Sequence, residues 1–359
     1  MYRPPPALAS VLYVPGMIYR AGVYLRNRAF DAGFMPARYP PHPAVSVGNL
    51  TLGGTGKTPF VIYLAGLLNE IGYKTAVLTR GYGRRNSGKT IILPPGEKAD
   101  SAAFRLGDEP ALIRRRLPDA WLGISPDRLC AAKAIARHEK QAEQGTGLVF
   151  ILDDGFQRRD IRRNLDIVMI DSARPPDAER LFPLGALREP LKELRRASVV
   201  IVNGSGSSAC AGAIMENLRK YAPEADFFHC IQRIAAIIPF SAWLDSETPR
   251  HLSAPPGTAF LAAAIGNPGR FKKDINDLGI ETPGCAFFKD HAVIGEKDWE
   301  NCVSAARTAK AEAIIVTEKD AVKISSPPDF PLMVAVQNTE LPEAGRFREI
   351  LKRCINPDI

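Results

Sequence analysis

Apolar residues in this chain gather in short runs that end in polar or glycine-rich stretches, and the segments between them repeat apolar positions every three or four residues. The runs Val45–Gly48, Lys74–Thr79, Trp121–Ile124, Leu148–Leu152, Asp166–Ile170 and Ser198–Val202 predict β-strands. Phe60–Leu68, Glu109–Arg116, Asp127–Gln141 and Glu189–Arg196 carry helical spacing. Strand and helix in alternation predict an α/β fold, a doubly wound and mostly parallel sheet with helices on both faces. Ligands of such folds bind beyond the C-terminal ends of the strands, so the residues that follow each run are the candidates for chemistry.

The pattern changes after Gly204–Gly212, a Gly/Ser/Ala-rich stretch that reads as a loop. The run Phe227–Ile238 then leads into a smaller α/β unit with Ala259–Ile265, a helix opened by Gly266-Asn267-Pro268, Cys285–Phe288 and Ala313–Val316. Leu332–Val336 is expected to pair with Phe227–Ile238 as a two-stranded linker, and Ala344–Cys354 predicts a terminal helix. The expected organisation is an N-terminal segment (1–30), a first domain (31–228), a smaller domain with its linker strands (229–337) and a C-terminal helix returning to the first domain (338–359).

The N-terminal segment has no charge from Pro4 to Tyr19 and is strongly apolar, with Pro15-Gly16 interrupting it. A spanning helix needs about 20 apolar residues, so this stretch is too short and too broken to cross a bilayer. It lacks the small-residue cleavage site of a signal peptide. A pair of interfacial helices fits better, with Arg20, Arg26 and Arg28 facing anionic headgroups at roughly 1 kcal/mol each. The alternative is a helix packed on the domain's own core.

The first strand ends in Gly48-Asn49-Leu50-Thr51-Leu52-Gly53-Gly54-Thr55-Gly56-Lys57-Thr58-Pro59, immediately before a helix. Strand, glycine-rich loop and helix N-terminus aim successive N–H groups at one concavity, a site built for polyphosphate. Lys57 then reaches the β/γ oxygens and Thr58 ligates Mg²⁺. Thr51 stands where the usual G-x-x-x-x-G-K-[ST] pattern has its first glycine. Leu148–Leu152 ends in Asp153-Asp154, a carboxylate pair placed to hold Mg²⁺ or its water shell. Arg158, Arg159, Arg162 and Arg163 follow, and Arg188-Glu189 opens a helix from which phosphate and metal are within reach, or in which the two simply pair with each other. The basic loop Arg80–Lys89 suits an anionic ligand. Asp108-Glu109 begins a helix, where capping is the commoner use of acids.

At 359 residues, 45% apolar and 24% charged, the chain is long enough for two globular domains. A formal charge of +8 favours an anionic partner, but no nucleic-acid module or interleaved basic–aromatic surface accompanies it. The six cysteines are scattered without a C-x-x-C pair and the five histidines lack zinc spacing, as expected of reduced thiols in a cytosolic protein.

Taken together, several motifs resemble one family, the tetraacyldisaccharide 4'-kinases of lipid A biosynthesis. They are Ser46–Thr51 with Gly53–Pro59, Arg80–Gly83, Gly107–Pro110, Asp153–Gln157, Pro183–Gly185 with Leu187–Pro190, Gly266–Pro268, Asp290-His291 and Thr317–Asp320, in the family's order. The resemblance implies a P-loop NTPase-like kinase domain and a smaller α/β domain joined by a two-stranded linker. It implies transfer of the γ-phosphoryl of ATP, with Mg²⁺, to the 4'-hydroxyl of a lipid-linked glucosamine disaccharide 1-phosphate, giving lipid IVA. Expected with it are a peripheral or monotopic place on the cytoplasmic face of the Gram-negative inner membrane, an anionic membrane surface as partner, and neither nucleic acid nor an obligate protein partner. Gly53, Gly54, Thr55, Gly56, Lys57, Thr58 and Gln157 would bind nucleotide. Thr58 with Asp153, Asp154 or Glu189 would hold the metal, and Arg188 would offset charge on the transferred group. By resemblance Asp108 takes the hydroxyl proton, oriented by His291 of the second domain. Arg158 stands where the family usually has histidine, so no role is carried over there. Two other readings compete: a kinase of a soluble sugar whose N-terminus is merely core, and a nucleotide-switch GTPase or metallochaperone. The second wants an Asn-Lys-x-Asp signature, but Val202-Asn203-Gly204 lacks the lysine and Thr317–Asp320 has it one place late.

Overall fold

A computed structural model describes residues 6–81, 84, 88–97, 105–141, 147–176, 179–204, 208–245 and 255–356. In chain order the elements are α1 (Pro6–Asp31), β1 (Ala44–Asn49), α2 (Lys57–Glu70), β2 (Lys74–Thr79), β3 (Ile91–Leu93), α3 (Asp108–Arg116), β4 (Trp121–Ile124), α4 (Arg128–Gln141), β5 (Leu148–Asp153), β6 (Leu165–Asp171), a 3-10 helix (Leu191–Arg196), β7 (Val199–Asn203), α5 (Ser208–Arg219), β8 (Asp226–Pro239), α6 (Phe240–Asp245), β9 (Thr258–Ala263), α7 (Pro268–Asn276), β10 (Glu281–Phe287), α8 (Glu296–Thr308), β11 (Ala313–Thr317), α9 (Glu318–Ala321), β12 (Leu332–Glu340) and α10 (Ala344–Ile355). They form two compact units: Met1–Thr79, Asp127–Gln232 and Glu340–Ile359 in the first, Arg80–Pro126 and Arg233–Thr339 in the second. Residues 80–126, expected within a continuous 31–228 domain, thus pack with the later block.

In the first unit the strands run β2-β5-β1-β6-β7-β8, and every neighbouring pair is parallel. All residues of β1 and β5 are buried, which is why they read as continuous apolar runs rather than alternating ones. From β1 the chain goes outward past β5 to β2, whereas from β5 it returns past β1 to β6. The ends of β1 and β5 therefore flank the switch point of the sheet, where such folds bind ligands. Against these strands α2 buries Phe60, Val61, Leu64 and Leu68. On α10, Phe347 sets its ring 6.1 Å from that of Phe60 and 5.4 Å from that of Phe228.

Three elements depart from expectation. α1 is one helix with Pro15 inside it, not a broken pair. Pro15 and Val11 are both exposed, so the carbonyl deprived of its donor lies on the open side of the helix. α5 begins within the stretch read as a loop because Ala211, Ile214 and Leu218 form a buried helical stripe that outweighs the small polar residues before it. Leu191–Arg196, six residues after Pro190, closes i to i+3 bonds instead of an α-helix, as with Ala197 N donating to Leu194 O.

In the second unit β10-β9-β11-β12 are parallel neighbours, with the later part of β8 beside β12. Trp243, Phe260, Trp299, Ile314 and Val334 sit in its core. β3 and β4 form an antiparallel pair. The short helix α9 packs on α3, tied by Arg116 to Glu318 at 3.0 Å.

Candidate active site

The glycine loop after β1 is held from several sides by polar side chains of its own unit. Gly53 and Gly56 adopt φ of 103° and 80°, which side chains resist. Behind Gly56 a Cβ would run into Asn203 and Gln232. Those two side chains fix the loop: Asn203 Nδ2 donates to Thr55 O (3.1 Å) and to Gln232 Oε1 (2.9 Å), and Gln232 Nε2 donates to Gly56 O (2.7 Å). Gln157 Nε2 donates to Asn49 O (2.9 Å) at the other end of the loop. At Gly48 an added Cβ would lie 2.5 Å from Phe156 Cβ, so this glycine lets Asp153–Phe156 lie close against β1. Sequence reasoning missed Asn203, Gln232 and Thr79. Their signal was a polar residue at the end of, or within, an apolar strand run.

Asp154, at φ 51°, receives two cations: Lys57 Nζ at 3.4 Å and Arg188 Nη1 at 2.8 Å and 2.9 Å from its two oxygens. Burial pushes its carboxyl pKa up, but Lys57 and Arg188 outweigh this and hold it at about 2. Arg188 reaches the loop because residues 186–188 run antiparallel to its start, with Leu52 N donating to Ala186 O and Arg188 N to Leu50 O, both at 2.7 Å. Tyr19 of α1 donates to Arg188 O at 2.7 Å. Asp153 is buried and accepts from Thr79 Oγ1 at 3.1 Å.

Glu189 is placed differently from Arg188. It is 1% exposed, and its two oxygens pair with Arg26 and Arg196. Burial holds its carboxyl above the usual range despite those arginines. Both of its oxygens are thus engaged by arginines, whereas Asp153 and Asp154 stand at the end of β5, the neighbour of β1, and Thr58 follows the glycine loop in sequence. Of the arginine run, Arg158 bonds Asp160, Arg159 bonds Asp31 and Arg163 bonds Asp166. In the loop Arg80–Lys89, positions 82, 83 and 85–87 lie outside the described residues, and Arg84 is buried.

No cluster of three His, Cys, Asp or Glu side chains that would enclose a cation occurs among the described residues. The donors beside the loop, the Asp153 and Asp154 carboxylates and the Thr58 hydroxyl, are oxygens of the kind Mg²⁺ takes, one or two from protein together with phosphates and water.

The second unit carries its own polar cluster. Asp108 opens α3 after Gly107 at φ 95°. Its Oδ1 accepts from Glu109 N, a first-turn N–H of the helix, at 2.9 Å, and its Oδ2 lies 2.8 Å from His291 Nδ1. Asp108 is 7% exposed and the His291 side chain 29%. Burial would raise the Asp108 pKa, but His291 and Lys319 bring it below the usual value. The bond to Asp108 raises that of His291 against burial and Lys319. His291 has a φ of 64°, a conformation a bulky residue adopts only when its surroundings impose it. Both members of the pair lie in the second unit.

A lysine at the mouth of a glycine loop, carboxylates closing the adjacent strand and an arginine on one of them define a P-loop phosphotransferase, a protein that handles a nucleoside triphosphate at a sheet switch point. A model of the Tetraacyldisaccharide-1-P 4'-kinase family matches residues 8–356. The chain is 37% identical over 330 residues to the tetraacyldisaccharide 4'-kinase of Syntrophus aciditrophicus, covering 88% of this chain and 84% of that one. It is 35% identical over 323 residues to the protein of the same name from Geobacter metallireducens, covering 89% and 88%. A crystal structure of LpxK from Aquifex aeolicus in complex with ATP superposes with a TM-score of 0.73 at 26% identity, over 97% of this chain and 99% of that one. The chain belongs to the tetraacyldisaccharide-1-P 4'-kinase family.

Proposed function

We propose that the chain performs its family's reaction, the ATP- and Mg²⁺-dependent phosphorylation of the 4'-hydroxyl of tetraacyldisaccharide 1-phosphate, with the work divided as follows. The loop amides from Gly53 to Gly56 and Lys57 bind the triphosphate. Thr58 with Asp153 or Asp154 holds Mg²⁺, which neutralises and orients the phosphates when bound. The convergence of Lys57 and Arg188 on Asp154 carries this reading. Triphosphate oxygens are stronger partners for both cations than a single carboxylate is, so Arg188 is supplied to offset charge on the transferred group. Glu189 acts through Arg26 and Arg196, holding the segment that presents Arg188.

A sugar hydroxyl is a weak nucleophile and needs a base. The sequence motif favours Asp108 for that role, but the geometry favours His291. Asp108 is the more buried of the two, accepts bonds on both oxygens and has a lowered pKa. His291 is less buried, and its raised pKa makes it the stronger proton acceptor. With its Nδ1 proton donated to Asp108, the neutral ring accepts at Nε2, and Asp108 stabilises the imidazolium that results.

The exposed apolar residues of α1, among them Val11 (70%), Ile18 (69%) and Leu25 (66%), support a position on a membrane surface beside the acyl chains of the substrate. No helix among the described residues is long and apolar enough to cross a membrane. The exposed apolar face of α1, together with a family reaction that consumes ATP, supports a peripheral place on the cytoplasmic face of the inner membrane.

The test is transfer of labelled γ-phosphate from ATP to a tetraacylated glucosamine disaccharide 1-phosphate in mixed micelles. Wild type forms a bisphosphorylated lipid, while Lys57→Ala and His291→Ala each lose ~10²-fold or more. Hydrolysis of nucleotide without any phosphorylated lipid would show the acceptor to be wrong.

A further inference from the structure

The motif Thr317-Glu318-Lys319-Asp320 belongs neither to the nucleotide loop nor to the proton-accepting pair, yet each of its side chains is engaged. Thr317 accepts from Asp320 N at 3.2 Å, capping α9. Glu318 takes Arg116 and accepts from Gln337 N at 3.0 Å. Asp320 accepts from Ala264 N at 3.2 Å and pairs with Lys323 at 2.8 Å. Among the described residues Lys319 pairs with three carboxylates: its Nζ lies 3.2 Å from Glu109 Oε1, 3.7 Å from Asp290 Oδ1 and 3.9 Å from Asp108 Oδ2. One ammonium thus faces the carboxylate bound to His291 and the acidic chain neighbour of each member of the pair.

We infer that Lys319 is a positioning residue that fixes the charge and orientation of the Asp108–His291 pair, an inference that rests on His291 being the proton acceptor. Two carboxylates face the imidazole, Asp108 at 2.8 Å from Nδ1 and Asp290 at 3.8 Å from Nε2. Left to themselves they would draw a proton onto His291, and an imidazolium takes no proton from a hydroxyl. Lys319 supplies the opposing charge, lowering both the Asp108 and the His291 pKa, with Lys323 adding to the effect on Asp108. Burial works against the ammonium itself, but Glu109, Asp108 and Asp290 keep its pKa above the usual lysine value.

The position of Lys319 is equally determined. α9 is a single turn, yet its surroundings join it to the backbone of His291. Asp320 bonds Ala264 N, His291 N donates to Ala264 O at 3.2 Å, and Lys323 Nζ donates to Ala292 O at 2.8 Å. The left-handed turn at His291 and the ammonium of Lys319 are thus held in one hydrogen-bonded frame.

The experiment compares wild type, Lys319→Met and Lys319→Arg by the pH dependence of kcat/KM in mixed micelles and by NMR titration of the His291 ring, assigned by its absence in His291→Gln. In Lys319→Met the ring titrates roughly one pH unit higher and the acid limb of kcat/KM moves with it, so activity below the limb falls about tenfold. Lys319→Arg returns both toward wild type. A His291 titration that stays in place in a folded Lys319→Met protein overturns the inference. So does a raised KM for the lipid with kcat and the limb unchanged, which would make Lys319 a ligand contact. A shifted ring titration with an unmoved kcat/KM limb upholds the charge-setting role of Lys319 and refutes His291 as the base.

Discussion

Asp154→Asn separates the catalytic from the structural share of the carboxylate on which Lys57 and Arg188 converge. Asparagine keeps the size of the side chain and tolerates the left-handed backbone at φ 51°, so the change removes the charge and one acceptor oxygen without disturbing the turn. A carboxyl held at about 2, against an ordinary value near ~3.9, corresponds to about 2.5 kcal/mol for a dry site. The side chain is 38% exposed, and screening by solvent brings its worth to stability down to about 1 kcal/mol. Because the folded pKa is depressed, that contribution is present above pH ~4 and is lost as pH falls toward ~2. At pH 7 Asp154→Asn is therefore expected to melt within a few degrees of wild type. Its kcat should nonetheless fall ~10²- to 10³-fold, about 2.7 to 4 kcal/mol, since the lost charge acts on metal and phosphate in the reacting complex. Asp154→Ala should be as inactive and a further ~1 kcal/mol less stable, because alanine resists positive φ. Thermal melts and single-turnover phosphoryl transfer measure both. If Asp154→Asn keeps activity within about threefold of wild type, the cluster is structural and the metal assignment to Asp154 is wrong.

Gly56→Ala meets both a φ of 80° and the side chains of Asn203 and Gln232, so ATP affinity read by equilibrium dialysis should drop by at least ~10-fold while the secondary structure by circular dichroism is kept. Phe347→Ala on α10 empties a fully buried site between Phe60 and Phe228 and should cost about 3 to 5 kcal/mol in urea unfolding.

Strands β1, β5 and β7 were legible because every residue in them is buried and the runs are mainly apolar, and the glycine loop because positive φ and close approach favour glycine. Lys57, Asp153 and Asp154 could be assigned from their place just past those strands. The partners of these groups could not. Arg188 and Glu189 are adjacent in sequence, but one turns to Asp154 and the other to Arg26 and Arg196, a division set by the antiparallel passage of residues 186–188 along the loop. Asn203 and Gln232 look like interruptions in apolar strands until the sheet brings β7 and β8 behind the loop.

By itself the sequence determined the class of fold, the phosphate loop and the family, since these rest on local pattern and on motifs in fixed order. Only the tertiary structure decided that Asp108 is buried and already bonded, that His291 is the less buried member of the pair, and that Lys319 faces both. Burial, hydrogen bonding and nearby charge set which group accepts a proton, and the bond at their centre joins residues 183 positions apart in the chain.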